Sequence, residues 1–124
     1  MQLAPGQAPL YEIKANLFKA LAHPARIRAL ELLSQAPEET ASVAYLLERI
    51  DIEASHLSQH LKVLRRHHVV VSERRASNVY YTLAHPCVSE LLRIAREFLL
   101  DNLESDEARR TALLMYAAPA DPAL

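Results

Sequence analysis

The run Ser55-His56-Leu57-Ser58-Gln59-His60-Leu61-Lys62-Val63-Leu64-Arg65-Arg66 decides how the rest of this chain is read. Leu57, Leu61 and Leu64 recur at i, i+4 and i+7, so a helix here buries one stripe. It turns Ser55, His56, Ser58, Gln59, Lys62 and Arg66 outward. Ser55 is placed to cap this helix, because its hydroxyl can accept an unpaired amide of the first turn. The helix is expected to end near His67 or His68, where the period changes. Val69-Val70-Val71-Ser72-Glu73 and Val79-Tyr80-Tyr81-Thr82-Leu83 are rich in β-branched and aromatic residues and read as two strands. Arg74 to Asn78 join them as a hairpin with its turn at Ser77-Asn78. No glycine is present there, so Asn78 is the residue expected in a left-handed conformation.

Working outward, Val43, Leu46, Leu47 and Ile50 predict a short third helix over residues 43–50, joined to the helix above by Asp51 to Ala54. His23-Pro24 breaks an earlier helical pattern, since proline disfavours helix before it and suits the first turn of the next. A first helix is expected over residues 10–22 on Leu10, Ile13, Leu17 and Leu21, and a second from Pro24 to Gln35 on Ile27, Leu30 and Leu33. Ala36 to Thr40 reads as a polar loop. Pro86 opens a fifth helix with Val88, Leu91, Leu92, Ala95, Phe98 and Leu99 in register. The organisation is a flexible N-terminal arm (1–9), one domain (10–103) and a C-terminal extension (104–124). That extension is read as a further turn or two over Asp106 to Tyr116, then a frayed tail. The fold class is mainly α with a small β-hairpin wing: a winged helix-turn-helix with dimer helices at both ends. The third helix braces the fourth, whose outer face fits the major groove of duplex DNA.

Composition excludes several alternatives. With 51% hydrophobic residues in 124, the chain can bury a core without disulfides or a structural metal. Cys87 is its only cysteine, and no apolar run reaches the length of a membrane span. The N-terminus lacks a basic segment followed by an apolar stretch, so a cytoplasmic protein is expected. The only glycine is Gly6, which rules out a phosphate-cradling loop. His85 and Cys87 have no third orienting group, so no enzyme constellation is found and no cofactor is implied. The net charge is −1, but its distribution is uneven. Between His56 and Tyr81, five fixed cations face Glu73 alone, a balance of +4; between Glu38 and Glu53, five acids face Arg49 alone, a balance of −4. One region can meet phosphate while the rest keeps the protein in solution.

Three segments resemble one known family. Leu21-Ala22-His23-Pro24-Ala25-Arg26-Ile27-Arg28 is similar to the second-helix signature of the ArsR/SmtB winged-helix repressors. Ser58-Gln59-His60-Leu61-Lys62-Val63-Leu64-Arg65 resembles their recognition-helix core, and Val79-Tyr80-Tyr81-Thr82-Leu83 their second wing strand. The match runs in order from Leu10 to Leu103. The resemblance implies a homodimeric repressor on a palindromic operator in double-stranded DNA, released by an effector. It also implies a dimer formed by the first and last helices, here through Leu10, Ile13, Leu17, Leu91, Leu92, Phe98 and Leu99. The competing reading packs those residues inside one monomer.

The expected DNA-binding residues are Ser55, His56, Ser58, Gln59, His60, Lys62 and Arg66 on the helix, with Arg74, Arg75 and Asn78 on the hairpin. Gln59 can bond an adenine edge twice, and the cations can meet phosphates. His60 either bonds a phosphate or braces the helix pair. Arg74 and Arg75 either contact DNA or blunt a sheet edge. His67 and His68 stand where the family often has Ala-Gly, and their side chains are expected to satisfy the helix-terminal carbonyls. Metal sensing is not expected. The thiolate pattern is absent from the third helix, and a pattern at the fifth would use His85 and Cys87 but fall on Phe98, which has no donor atom. A small-molecule or redox effector remains, with Cys87 the redox candidate near a helix N-terminus. The rival function is a winged-helix protein-interaction module without DNA binding, which would want an acidic or apolar outer face on the fourth helix.

Overall fold

The computed structural model describes residues 7–102 and 107–116. The helix α1 (Gln7–Leu21) is followed by α2 (Pro24–Gln35), a 3-10 turn (Pro37–Glu39), strand β1 (Thr40–Ser42), α3 (Val43–Arg49) and α4 (Ala54–Arg66). The hairpin β2 (Val70–Arg75) and β3 (Asn78–Leu83) comes next, then α5 (Pro86–Asn102) and α6 (Glu107–Tyr116).

The core forms around α2, whose Ala29, Leu30, Leu32 and Leu33 are fully enclosed. Leu46 of α3 and Leu57, Leu61 and Leu64 of α4 meet them, with Val70, Tyr81 and Leu83 from the sheet and Leu92 from α5. Each such leucine contributes about 1.5–3 kcal/mol relative to exposure. The apolar period of α4 therefore does what its spacing predicts: one face is anchored and the other is free.

The helix starts have identifiable causes. His23 is extended (φ −150°, ψ 132°), Pro24 occupies the first helical turn, and His23 Nδ1 accepts the Ala25 amide at 3.1 Å. The same device recurs at α5, where His85 precedes Pro86 and its Nδ1 accepts the Cys87 amide at 3.0 Å. Ser42 caps α3, its hydroxyl accepting the Tyr45 amide at 3.0 Å.

Five expectations are corrected. Helix α1 begins at Gln7, so the stretch read as an arm is helical over residues 7–9, and residues 1–6 lie outside the described residues. The cap position of α4 is Glu53, without a side-chain bond, and Ser55 is inside the first turn. Residues 40–42 form a third strand, whereas the expected loop ran to Thr40 and Ala41-Ser42 carried no assignment. They pair antiparallel with β3 at Thr40↔Thr82, Ala41↔Tyr81 and Ser42↔Tyr80 to give the order β1-β3-β2. The hairpin turn is Ala76-Ser77, with Ala76 left-handed (φ 55°); Asn78 is instead the first residue of β3, opposite Arg75. Finally, α6 is a ten-residue helix, longer than a turn or two. The tail read from Ala117 lies outside the described residues.

The end of α4 follows the expected position but not the expected chemistry. His68 takes φ 62°, its amide reaches Arg65 O and the Val69 amide reaches Leu64 O, both at 3.0 Å. This is a Schellman closure, in which backbone amides, not histidine rings, satisfy the terminal carbonyls.

Candidate nucleic-acid interface

Helix α4 presents Ser55, His56, Gln59, Lys62 and Arg66 as exposed side chains, with Ser58 and His60 half-buried at its margins. Beside it lies an open groove of about 470 Å³ between α4, the start of α3 and the hairpin. It gathers Ser58, Lys62, Arg65, Arg74 and Asn78, with Val79 and Tyr81 at its base and no acidic residue in its lining. The pleat explains why Arg74, of the two wing arginines, is in it. Arg74 opposes Val79 and Ser72 opposes Tyr81 on the groove side, while Glu73 opposes Tyr80 on the other.

Arg75 therefore leaves the groove. Its Nε and Nη2 donate to Glu73 Oε2 at 3.2 and 3.1 Å, and its guanidinium lies 4.7 Å from the Tyr80 ring centroid. Arg65 was counted in the charge balance but not placed at the site. It lines the groove and donates from Nη1 to Ser72 Oγ at 3.2 Å, joining α4 to the wing. Its place three residues after Lys62 and next to Arg66 was the available signal.

His60 is held from α2. Arg26 Nε donates to its Nδ1 at 3.1 Å and the His23 ring packs against it at 4.1 Å. Burial, followed by the His23, Arg26 and His56 charges, holds the His60 pKa below the ordinary histidine value. The bracing reading of His60 thus has direct geometric support, and the residue stays half-exposed.

The expected dimer residues divide. Leu10, Ile13, Phe98 and Leu99 are exposed, with Ile13 at 67% and Phe98 at 64%. Tyr11, Phe18 and Ile94 extend the same character. Leu17 and Leu91 pack partly against the core, and Leu92 is buried within it, so Leu92 belongs to the monomer's own interior.

His85 and Cys87 are both exposed, but His85 Nδ1 is occupied by the Cys87 amide. Among the described residues, no three His, Cys, Asp or Glu side chains are grouped to hold a metal ion. Nor is any helix among them long and apolar enough to cross a membrane.

Comparison with known proteins agrees with this geometry. Residues 21–73 match a family described as a helix-turn-helix domain. The chain is 50% identical over 92 residues to the HTH-type transcriptional regulator Rv0081 of Mycobacterium tuberculosis, covering 73% of this chain and 78% of that one. The Rv0081 crystal structure superposes with a TM-score of 0.72 at 47% identity, covering 78% and 95% of the two chains. A Synechocystis protein named as a transcriptional repressor SmtB homolog is 33% identical over 88 residues, 71% of this chain and 64% of its own. A Mycobacterium bovis fragment, described as a homodimeric winged helix-turn-helix DNA-binding domain, shares the fold (TM-score 0.69, 23% identity, 80% and 89% coverage). These relatives are regulators and not enzymes. The chain belongs to the ArsR/SmtB family of winged helix-turn-helix transcriptional regulators.

Proposed function

We propose that this chain is a homodimeric repressor that binds an imperfect palindromic operator in double-stranded DNA in the cytoplasm. The observation that carries the reading is the groove between α4 and the wing. In a chain of net charge −1, it collects Lys62, Arg65 and Arg74 with no acid among them. An interaction module that had lost DNA binding would have no use for that segregation. The exposed apolar side chains of α1 and α5 support a symmetric dimer, in which two α4 helices reach successive major-groove faces about one helical turn apart. The domain organisation is read as a DNA-binding and dimerisation unit through residue 103, with α6 as an appended element.

Within this reading, Ser55, His56, Ser58, Gln59 and His60 approach base edges and backbone, and Lys62, Arg66, Arg74 and Asn78 meet phosphate or sugar. Arg75 joins them only after leaving Glu73. Release is assigned to a small-molecule or redox effector that favours a non-binding arrangement of the two α4 helices.

The test is selection of binding sequences from a random duplex pool, followed by anisotropy titration across salt concentrations and a promoter–reporter assay. A palindromic consensus, affinity that falls steeply with salt, and a reporter silenced by the protein are expected. Phe98→Glu should yield monomers with lost operator affinity. Recovery of no consensus, salt-indifferent binding or reporter activation would overturn the reading. Gln59→Ala should relax preference at one base pair at a cost of about 1–3 kcal/mol.

A further inference from the structure

His60 is carried by the recognition helix, yet its ring is governed from α2. The guanidinium of Arg26 donates from Nε to His60 Nδ1 at 3.1 Å and from Nη1 to the Ala20 carbonyl at 3.2 Å. Two bonds from one planar fork fix where Arg26 points. The His23 ring lies 4.1 Å from the His60 ring, and His23 is itself fixed by the Ala25 amide. Arginine has no acceptor and stays protonated, so His60 Nδ1 must supply a lone pair. A neutral imidazole with a bare Nδ1 carries its proton on Nε2. Among the described residues, Nε2 has no partner.

We propose that Arg26 is a positioning residue for DNA reading, which acts through His60 Nδ1 to hold residue 60 as a neutral Nε2–H donor on the recognition helix. The inference rests on the DNA-binding reading of α4. An unrestrained His60 would sample two neutral tautomers and the imidazolium. The Nδ1–H tautomer would turn an acceptor toward DNA and repel phosphate oxygens and guanine O6 or N7. The imidazolium would attract phosphate whatever the sequence. Held by Arg26, the ring offers one donor, complementary to a DNA acceptor and mismatched with the amino groups of adenine or cytosine. The groups facing it also disfavour a proton on Nδ1: Arg26 and His23 from the start of α2, and His56 one turn earlier on α4.

The experiment has two arms. Long-range nitrogen–proton correlation spectra of the histidine rings in the free full-length protein report the tautomer directly. Wild-type His60 should show a protonated Nε2 and a bare Nδ1. Arg26→Met, or Arg26→Lys should that variant fail to fold, should show averaged ring nitrogens and a titration nearer that of an ordinary histidine. A wild-type proton on Nδ1, or the same averaging with and without Arg26, would overturn the proposal.

The second arm is a double-mutant cycle on the selected operator. Arg26→Met should weaken binding about three- to tenfold in the wild-type background. In a His60→Gln background it should cost less than about twofold, because glutamine supplies a donor near the Nε2 position without help from Arg26. The affinity of Arg26→Met should also rise relative to wild type as pH falls from about 8 to 6, since a freed His60 takes up a proton beside phosphate. His23 and His56 face His60 and feel its charge, so the gain should vanish in the His60→Gln background, whereas His67 and His68 are common to both proteins. Equal losses in both backgrounds would mean that Arg26 serves only the fold, and would overturn the proposal. A wild-type protein without DNA affinity would overturn the DNA-binding reading, and the ring spectra would then decide alone whether the restraint exists.

Discussion

Arg65 on the recognition helix donates to the hydroxyl of Ser72 on the wing at 3.2 Å, so the two elements flanking the basic groove are linked by a side-chain bond across it. The bond is exposed, and its contribution to folding is small. Arg65→Ala should leave stability within about 1 kcal/mol of wild type, by urea denaturation. It should also flatten the salt dependence of operator binding by about one unit. Ser72→Ala removes the link but keeps the charge, so its salt slope should not change. A Ser72→Ala slope as shallow as that of Arg65→Ala would show that the link, and not the cation, sets the affinity.

Arg74 and Arg75 are neighbours in sequence with opposite fates. Arg74 lines the groove, while Arg75 is neutralised by Glu73 on the other side of the hairpin. Arg74→Ala should therefore weaken binding to all sequences alike and lower the salt slope by about one unit, and Arg75→Ala should do so by less. Glu73→Gln frees Arg75 and should strengthen binding at low salt. Anisotropy titrations of the three variants check this ordering, and a larger effect at Arg75 than at Arg74 would reverse it.

His68 occupies a left-handed position at which a side chain costs about 1–2 kcal/mol and glycine costs nothing sterically. His68→Gly should raise the unfolding free energy by about 1 kcal/mol without changing the denaturant slope. His68→Val should lower it by more than that gain. A destabilised His68→Gly would mean that the imidazole contributes more than the backbone geometry costs.

Glu31 on α2 is half-buried against α5, and burial raises its pKa against the opposing pull of Arg96 and then Arg28. The folded state thus binds the proton more tightly than the unfolded chain. This group's contribution to stability is fully present below the ordinary carboxylate pKa, and is lost as pH rises through the raised value. Glu31→Gln removes that loss. Its stability relative to wild type should climb as pH rises through this window and should match or exceed wild type at neutral pH. A loss of more than about 2 kcal/mol at neutral pH would show that the two arginines outweigh burial.

Cys87 is exposed beside the start of α5, whereas His85 has one ring nitrogen committed to the backbone. Equimolar zinc, nickel or cobalt should not release the protein from its operator. Cys87→Ser should keep full affinity under reducing conditions. Release by metal that disappears in Cys87→Ser would place an effector site there, and release by oxidant with the same mutant resistant would make Cys87 the sensor.

The parts of this fold legible in the sequence were those with a strong period. Leu57, Leu61 and Leu64 declared the buried face of α4, and Pro24 and Pro86 declared two helix starts. What escaped was decided by contacts distant in sequence or by strain. Thr40–Ser42 is too short to show alternation, and becomes a strand only because β3 is there to pair with it. Left-handed backbone at His68 and Ala76 was imposed by the helix closure and the hairpin register, and alanine has no preference for it. Ser55 looked like a cap by type, but the chain enters α4 two residues earlier than that cap would require. At the site, the hairpin pleat separated Arg74 from Arg75, which composition alone treats as equivalent. Leu92 shares the apolar spacing of the exposed dimer residues, and only the packing of α5 against α2 draws it inside.

The short strand β1 makes the wing a cantilever. At its root the sheet is three strands wide, since Thr40, Ala41 and Ser42 clamp Thr82, Tyr81 and Tyr80. Beyond Tyr80 it is two strands wide, and only the pairs Arg74↔Val79 and Arg75↔Asn78 remain before the turn. A beam whose free span is two residue pairs bends little under load. The width of the gap between wing and helix is then a dimension set by the protein, so a duplex whose backbone does not match that gauge must itself deform to fit.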